Sequence, residues 1–404
     1  MPISRKLLKK IGENTFLSES LDLSNQEIDD KDALTLAVHL KKNTCIKTIN
    51  LSNNNLSDDG LRVLVEAFRE VVILDVSNND LTTRSAQALT AIRLEKINIS
   101  GNPIGDEGIA YFIGAQSVLE LIASQCNITG RGIQKLLRHN NSLQILDLSY
   151  NYLNQMALET LRSNNSLKEI TLVECALDSE CATFISQNTS LKKINLSTNN
   201  LGDEGAKILA TNNSIEALDL SQNSITAVGM SALSRNKIVK NLKLFNNQIT
   251  SIGLKPLPKD SSLEKLDLSF NKLDDNCVDY LITIPTLRWL FLAHNQIYRK
   301  CAEKLVERFG KEHVGLAYNP IADVPAVILQ TPTLNLAGRV NDAKRKFEHE
   351  PSVFPVSPLN DQATITFLPS QRLKRQKISS LAGNYPCSDI SIKIPTQAGM
   401  TGLK

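Results

Sequence analysis

The chain has 404 residues, of which 42% are hydrophobic, 22% charged and only 5% aromatic, a composition that supports a folded core and excludes a disordered chain. Its net charge of +3 divides unevenly: residues 1–337 hold 35 basic and 37 acidic side chains, and residues 338–404 hold 10 and 5. A body so close to neutral excludes nucleic-acid binding, which needs a basic face to release counterions.

Residues 1–20 open with MPISRKLLKKIGENTF, a basic stretch with the spacing of a short amphipathic helix, which is expected to cap whatever follows. No apolar run of signal-peptide length comes after it. Nowhere does the chain hold the roughly 18 apolar residues that a membrane span requires. The expectation is an intracellular protein without a cleavable signal or a membrane span.

From residue 21 to 337 one pattern recurs. Aligning Leu148, Leu196, Leu220, Leu244 and Leu268 exposes the unit L-x-x-L-x-L-x-x-N-x-L with a dominant period of 24. Its last apolar position falls at Ile28, Leu56, Leu81, Ile104, Ile128, Leu153, Leu177, Leu201, Ile225, Ile249, Leu273, Ile297 and Ile321. About 13 units follow. In Leu191-x-x-Ile194-x-Leu196 the apolar residues point inward, and Lys193, Asn195 and Ser197 are expected to point out of the pleat. One such strand buries almost nothing, but strands stacked about 4.8 Å apart form a parallel sheet with a continuous aliphatic core. This explains the 58 leucines. Many of the 37 asparagines stand two places before the marker, at Asn54, Asn79, Asn102, Asn151, Asn199, Asn223, Asn247, Asn271, Asn295 and Asn319, where a side-chain amide can satisfy the backbone groups of a turn.

The return segments, such as Gly132-Ile-Gln-Lys-Leu-Leu-Arg-His-Asn140, carry apolar residues at helical spacing. Short helices are expected on the outer side, with Asp106-Glu107 and Asp203-Glu204 suited to helix N-termini. Pro256 and Pro258 leave one unit with only a turn or extended chain. Strand inside and helix outside bends the array, so the fold class is an α/β solenoid, an arc or horseshoe with a parallel concave sheet. Leu334-Asn-Leu336 is a weak further copy that would help close the far end.

The cysteines obey the same register. Cys126 and Cys175 occupy the Asn position, Cys181, Cys277 and Cys301 the small-residue position four after the marker, and Cys45 a small position otherwise held by Ser. Only Cys387 lies outside the array. A disulfide framework or metal cluster is therefore not expected, and a reducing compartment is.

These motifs resemble the ribonuclease-inhibitor-type leucine-rich repeats over about residues 18–340. The resemblance implies alternating strands and helices. Such arrays occur in ribonuclease inhibitors, Ran GTPase-activating proteins, intracellular immune sensors and effectors injected by intracellular bacterial pathogens. The dominant 24-residue unit departs from the longer alternating units of mammalian inhibitors, and no G-x-x-x-x-G-K-[ST] of an immune sensor is present. Enrichment in Asn, Lys and Ile with a polar tail looks most like a bacterial effector translocated into host cytoplasm.

Two rows describe the concave face. The row six before the marker is polar and mildly acidic, with Asp75, Asp147, Asp219 and Asp267, a possible lure for a basic partner or a solvated strand face. The row three before the marker ends in Phe270, His294 and Tyr318. With Phe245, Trp289 and Phe291 these rings gather on the units marked by Ile249 to Ile321. A protein-binding hot spot is the favoured reading; the alternative is that the tail folds back over the rings. Tyr150 and Tyr152 form a second, smaller candidate.

Catalytic signals are lacking. The five histidines, His39, His139, His294, His313 and His349, show no ligand spacing, and there is no G-x-S-x-G elbow or phosphate loop. Cys387-Ser-Asp389 formally matches the C-x-D of bacterial leucine-rich-repeat ubiquitin ligases, but those carry a helical domain of several hundred residues after the repeats. Residues 338–404, with Lys344-Arg-Lys346 and Arg372-Leu-Lys-Arg-Gln-Lys377, read as a flexible basic tail. The expectation is a monomeric, non-enzymatic scaffold without cofactor or metal that binds a protein, in the effector reading a host protein. The competing reading is a GTPase activator resembling the Ran activators, although those carry an acidic segment after the repeats.

Overall fold

Thirteen apolar markers give thirteen strands. The structure, a computed structural model, describes residues 3–16 and 18–321. The strands are β1 (Ser20–Asp22), β2 (Thr48–Asn50), β3 (Ile73–Asp75), β4 (Lys96–Asn98), β5 (Glu120–Ile122), β6 (Ile145–Asp147), β7 (Glu169–Thr171), β8 (Lys193–Asn195), β9 (Ala217–Asp219), β10 (Asn241–Lys243), β11 (Lys265–Asp267), β12 (Trp289–Phe291) and β13 (Val314–Gly315). They pair in chain order as one open parallel sheet. Its register is strict: Leu218, Leu242, Leu266 and Leu290 stand side by side, each buried. The fold is a leucine-rich-repeat solenoid with the sheet on one face and the return segments on the other.

A single cluster of buried Leu, Ile, Val and Ala runs from Ile3 to Ile321. No unit has a core of its own; each helix and strand is closed by the unit beside it. At the N-terminal end the helix Arg5–Gly12 is capped by the Ser4 hydroxyl, which accepts from the Leu7 amide, and it buries Leu8 and Ile11. It covers the helix Asp30–Leu40 of the first unit. Most return segments are helical, as in Asp58–Ala67, Gly130–His139 and Arg299–Phe309. The unit holding Pro256 and Pro258 makes only a 3₁₀ turn at Ser251–Leu254, as lost amide donors demand. Where neighbouring helices close up there is little room for a side chain. A Cβ on Gly132 would lie 2.6 Å from Asp106 Oδ1, which is why that position holds Gly, Cys or another small residue.

Three polar ladders tie the units together. The expected one is present: the Asn247 amide donates to Leu220 O at 3.0 Å and Leu244 O at 3.1 Å, while its oxygen accepts the Ile225 amide at 2.9 Å. One side chain thus joins two units at the turn. Cys175 performs half of this: its thiol donates to Leu148 O at 3.3 Å, and the Leu153 amide turns instead to the Cys175 carbonyl. Burial pushes the Cys126 and Cys175 thiols up to about 12, so both stay protonated and unreactive.

The other two ladders were not anticipated. Asn140, Asn164, Asn188, Asn212 and Asn236, spaced by 24, close the helix-to-strand side. Asn212 donates to Ser186 O and Asn188 O, each at 2.9 Å, and accepts the Ser214 and Ile215 amides, each at 2.8 Å. The third consists of aspartates in the first helical turn, which accept from the N-cap of the following unit. Asp203 receives the Thr226 amide at 2.8 Å and hydroxyl at 2.6 Å, and Asp58 does the same for Thr82. These acids serve the next helix as well as their own.

Leu334-Asn-Leu336, Cys387, the basic clusters and the rest of the 338–404 tail lie outside the described residues. Among the described residues no helix is long and apolar enough to cross a membrane.

Candidate functional site

The strand face is built from alternation that ends sooner than expected. Lys193 and Asn195 project from β8, but Ser197 is buried, which corrects its assignment to the outward set. The chain is already turning there. The next residue, three before each marker, has positive φ in all thirteen units, from 51° at Asn246 to 68° at Gly101. This left-handed corner rotates the preceding residue into the turn. Asn, Gln and Gly suit such a corner, whereas bulky residues resist it. Tyr150, Phe270, His294 and Tyr318 nevertheless occupy it.

The acidic row is also not what alternation implied. Asp75, Asp147 and Asp219 each accept the amide and hydroxyl of the serine two residues on, as in Ser221 Oγ to Asp219 Oδ1 at 2.6 Å. Asp267 accepts the Ser269 amide at 3.0 Å. These carboxylates close the strand ends. Burial pushes Asp147 and Asp267 above the usual carboxylate range. Each has an oxygen committed inside the repeat, Asp75 Oδ2 also accepts from Asn98 and Asp219 Oδ2 faces the Lys243 ammonium at 3.4 Å, so the row offers little to a basic partner.

At the last four units the face changes character. Phe245, Phe270, His294 and Tyr318 meet in succession. Phe245 and Phe270 have centroids 4.9 Å apart and tilted by 58°. Phe270 and His294 stack at 3.8 Å and 26°, and His294 and Tyr318 at 4.2 Å and 18°. Beside this ladder Trp289 meets His313 edge-on at 4.3 Å. Tyr318 is 76% exposed and Trp289 38%, while Phe245, Phe270 and His294 are half-buried. Burial between the rings pushes the His294 imidazole below its ordinary value, so it is neutral at pH 7 and stacks as a neutral ring.

Phe291 behaves differently from the other rings. It is only 7% exposed, standing beside Gly315 in the register with the Lys265 ammonium 5.4 Å from its centroid. It forms the floor of the patch rather than a contact surface. Tyr150 and Tyr152, 46% and 74% exposed, sit beyond β6, four strands from β10 and so about 19 Å away. They are separate from the ladder. Among the described residues no group of three or more His, Cys, Asp or Glu could hold a metal ion.

A family model described as Leucine rich repeat matches residues 213–273, and a second, Leucine Rich repeat, matches residues 42–65, 94–112 and 187–210. The ribonuclease inhibitor of Mus musculus is 33% identical over 129 residues, 28% of each chain. The array is built of leucine-rich repeats, and over part of its length it is similar to a ribonuclease inhibitor.

Other leucine-rich-repeat proteins share parts of the array of similar length. NACHT, LRR and PYD domains-containing protein 2 of Homo sapiens is 29% identical over 135 residues, 29% of this chain and 13% of that protein. The leucine-rich-repeat chain therefore spans less than a third of the length of these curated relatives. An internalin from Listeria monocytogenes has a TM-score of 0.54 at 18% identity, covering 82% of this chain and 90% of that one. That likeness is one of fold.

Proposed function

We propose that this leucine-rich-repeat array is a non-enzymatic scaffold that binds a protein through the strand face of β10–β13. The observation that carries the reading is the ring ladder itself. Three successive left-handed corners hold Phe270, His294 and Tyr318, where Asn or Gly would cost the fold less, and such backbone cost persists at functional positions. Exposed Trp and Tyr on an otherwise polar face supply the large desolvated contacts of a binding hot spot. The resemblance in sequence to effectors of intracellular bacterial pathogens supports a partner in a host cell.

The test is affinity capture from host lysate with the natural chain and with Trp289→Ala/Tyr318→Ala. Loss of specific partners from the variant supports the reading; an unaltered partner set ends it. The competing GTPase-activator reading draws nothing from this site, and the acidic segment it calls for is replaced by a tail with 10 basic and 5 acidic residues. Stimulated GTP hydrolysis across a panel of small GTPases would restore it.

A further inference from the structure

The same patch has a chemical polarity that goes beyond its being aromatic. Phe270, His294 and Tyr318 come from successive units and stack along the direction in which the units repeat, with Phe245 tilted against Phe270 at one end. A stack along that axis turns ring edges, not ring faces, toward anything lying on the strand face. Ring edges carry the positive end of the aromatic quadrupole. They favour oxygen acceptors over cations.

The charges agree. In the first outward row of the strands, lysines elsewhere stand beside a glutamate in the register: Lys96 beside Glu120 and Lys193 beside Glu169, each ion pair 2.6 Å long. Lys265 has Asn241 and Trp289 in those places. Lys243 lies in the next row, its ammonium 3.4 Å from Asp219 Oδ2. Asp219 and Asp267, the acids in the rows that carry Lys243 and Lys265, are both buried with an oxygen committed to Ser221 or Ser269. At the starts of the strands Glu216 pairs with Lys192 and Lys240, while the exposed Glu264 lies in the field of Lys240. Along the rows that carry the ladder, Lys243 and Lys265, what reaches solvent is therefore cationic or edge-positive.

Resting on the binding reading above, we propose that this surface takes an extended acidic segment of the partner protein. Its carboxylates lie against Lys243, Lys265 and the ring edges, and its apolar side chains cover Trp289 and Tyr318. Four units spaced about 4.8 Å apart span roughly 15 Å, the length of four or five residues of extended chain.

The test uses the full chain and fluorescein-labelled peptides that alternate Ala, Leu and Phe with Glu, with Gln or with Lys, followed by fluorescence anisotropy. The Glu peptide is expected to bind about tenfold or more tighter than the Gln peptide, with the Lys peptide weakest, and high salt should erode the difference. Lys243→Gln/Lys265→Gln should remove the preference for Glu over Gln while leaving the circular-dichroism spectrum unchanged. Equal binding of Glu and Gln peptides, or tightest binding of Lys, overturns the proposal. So does tight binding of a single-stranded oligothymidine with no peptide preference. If lysate partners are lost from Trp289→Ala/Tyr318→Ala yet the Glu peptide shows no advantage, the scaffold stands and the acidic partner falls.

Discussion

His294 lies face to face with Phe270, their centroids 3.8 Å apart and their planes 26° from parallel. The two residues are 24 apart in sequence and hold the same left-handed corner of adjacent units, with φ of 53° and 57°. The repeat thus converts a sequence period into a ring stack.

Stability and binding should separate at these corners. Phe270→Asn and Tyr318→Asn relieve backbone cost of about 1 kcal/mol each and lose stacking of about 0.5–1.5 kcal/mol. The two nearly cancel, so thermal unfolding of the double variant should move by only a few degrees at most while partner capture is lost. A collapse of the melting temperature would make the rings structural.

Acid should act through His294. Its folded value is lowered by burial, so the unfolded chain takes up the proton first. The imidazole's contribution is fully present above the ordinary value of 6.5, and is lost as pH falls through that value toward the folded one. His294→Phe should flatten the dependence of urea midpoint on pH below 6.5; an unchanged slope would place the titration elsewhere.

The buried aspartates run the other way. Asp267 is raised by burial, so stability falls as pH rises through its window above the ordinary carboxylate value. Asn at this row accepts the same serine amide, as Asn50 does from Ser52 at 3.0 Å and Asn195 from Ser197 at 3.0 Å. Asp267→Asn should therefore raise the melting temperature slightly at pH 7 and leave it unchanged in acid, read by calorimetry at both values. Destabilisation at pH 7 would show that the charge is needed.

The Asn ladder should be graded by how many of its bonds a substitute can keep. Asn223 is fully buried, donates to Leu196 O at 2.8 Å and accepts the Leu201 amide at 3.2 Å. Asn223→Ala strands these groups at about 1–3 kcal/mol apiece, and Asn223→Cys should cost less because a thiol still donates. Urea unfolding of the three chains gives the order Asn, Cys, Ala. Equal loss in Cys and Ala would remove the thiol from the account.

The solenoid was legible because its rules act on the backbone. Thirteen markers from Ile28 to Ile321 each follow a strand, and the cysteines keep their register places. Ser197 was misread because strict alternation lasts only three residues before the left-handed corner. The aspartate row stayed open between a lure for a basic partner and a solvated face because sequence shows which side a residue faces but not that the next serine occupies one of its oxygens. The Asn140-to-Asn236 ladder was visible as N-x-S-[LI] every 24 residues through Asn212, and was overlooked because the strand-side ladder already explained asparagine. The patch was placed by row, but the stacking, and the burial of Phe291 beside Gly315, arise between units and have no linear signature.

The central claim is that the ladder on β10–β13 is the partner's seat, and one affinity measurement tests it most directly. With a captured partner immobilised, Phe270→Asn/Tyr318→Asn should bind about tenfold or more weakly than the natural chain, and Tyr152→Ala should bind as the natural chain does. Unchanged affinity in the ladder variant, with loss confined to Tyr152→Ala, would contradict it.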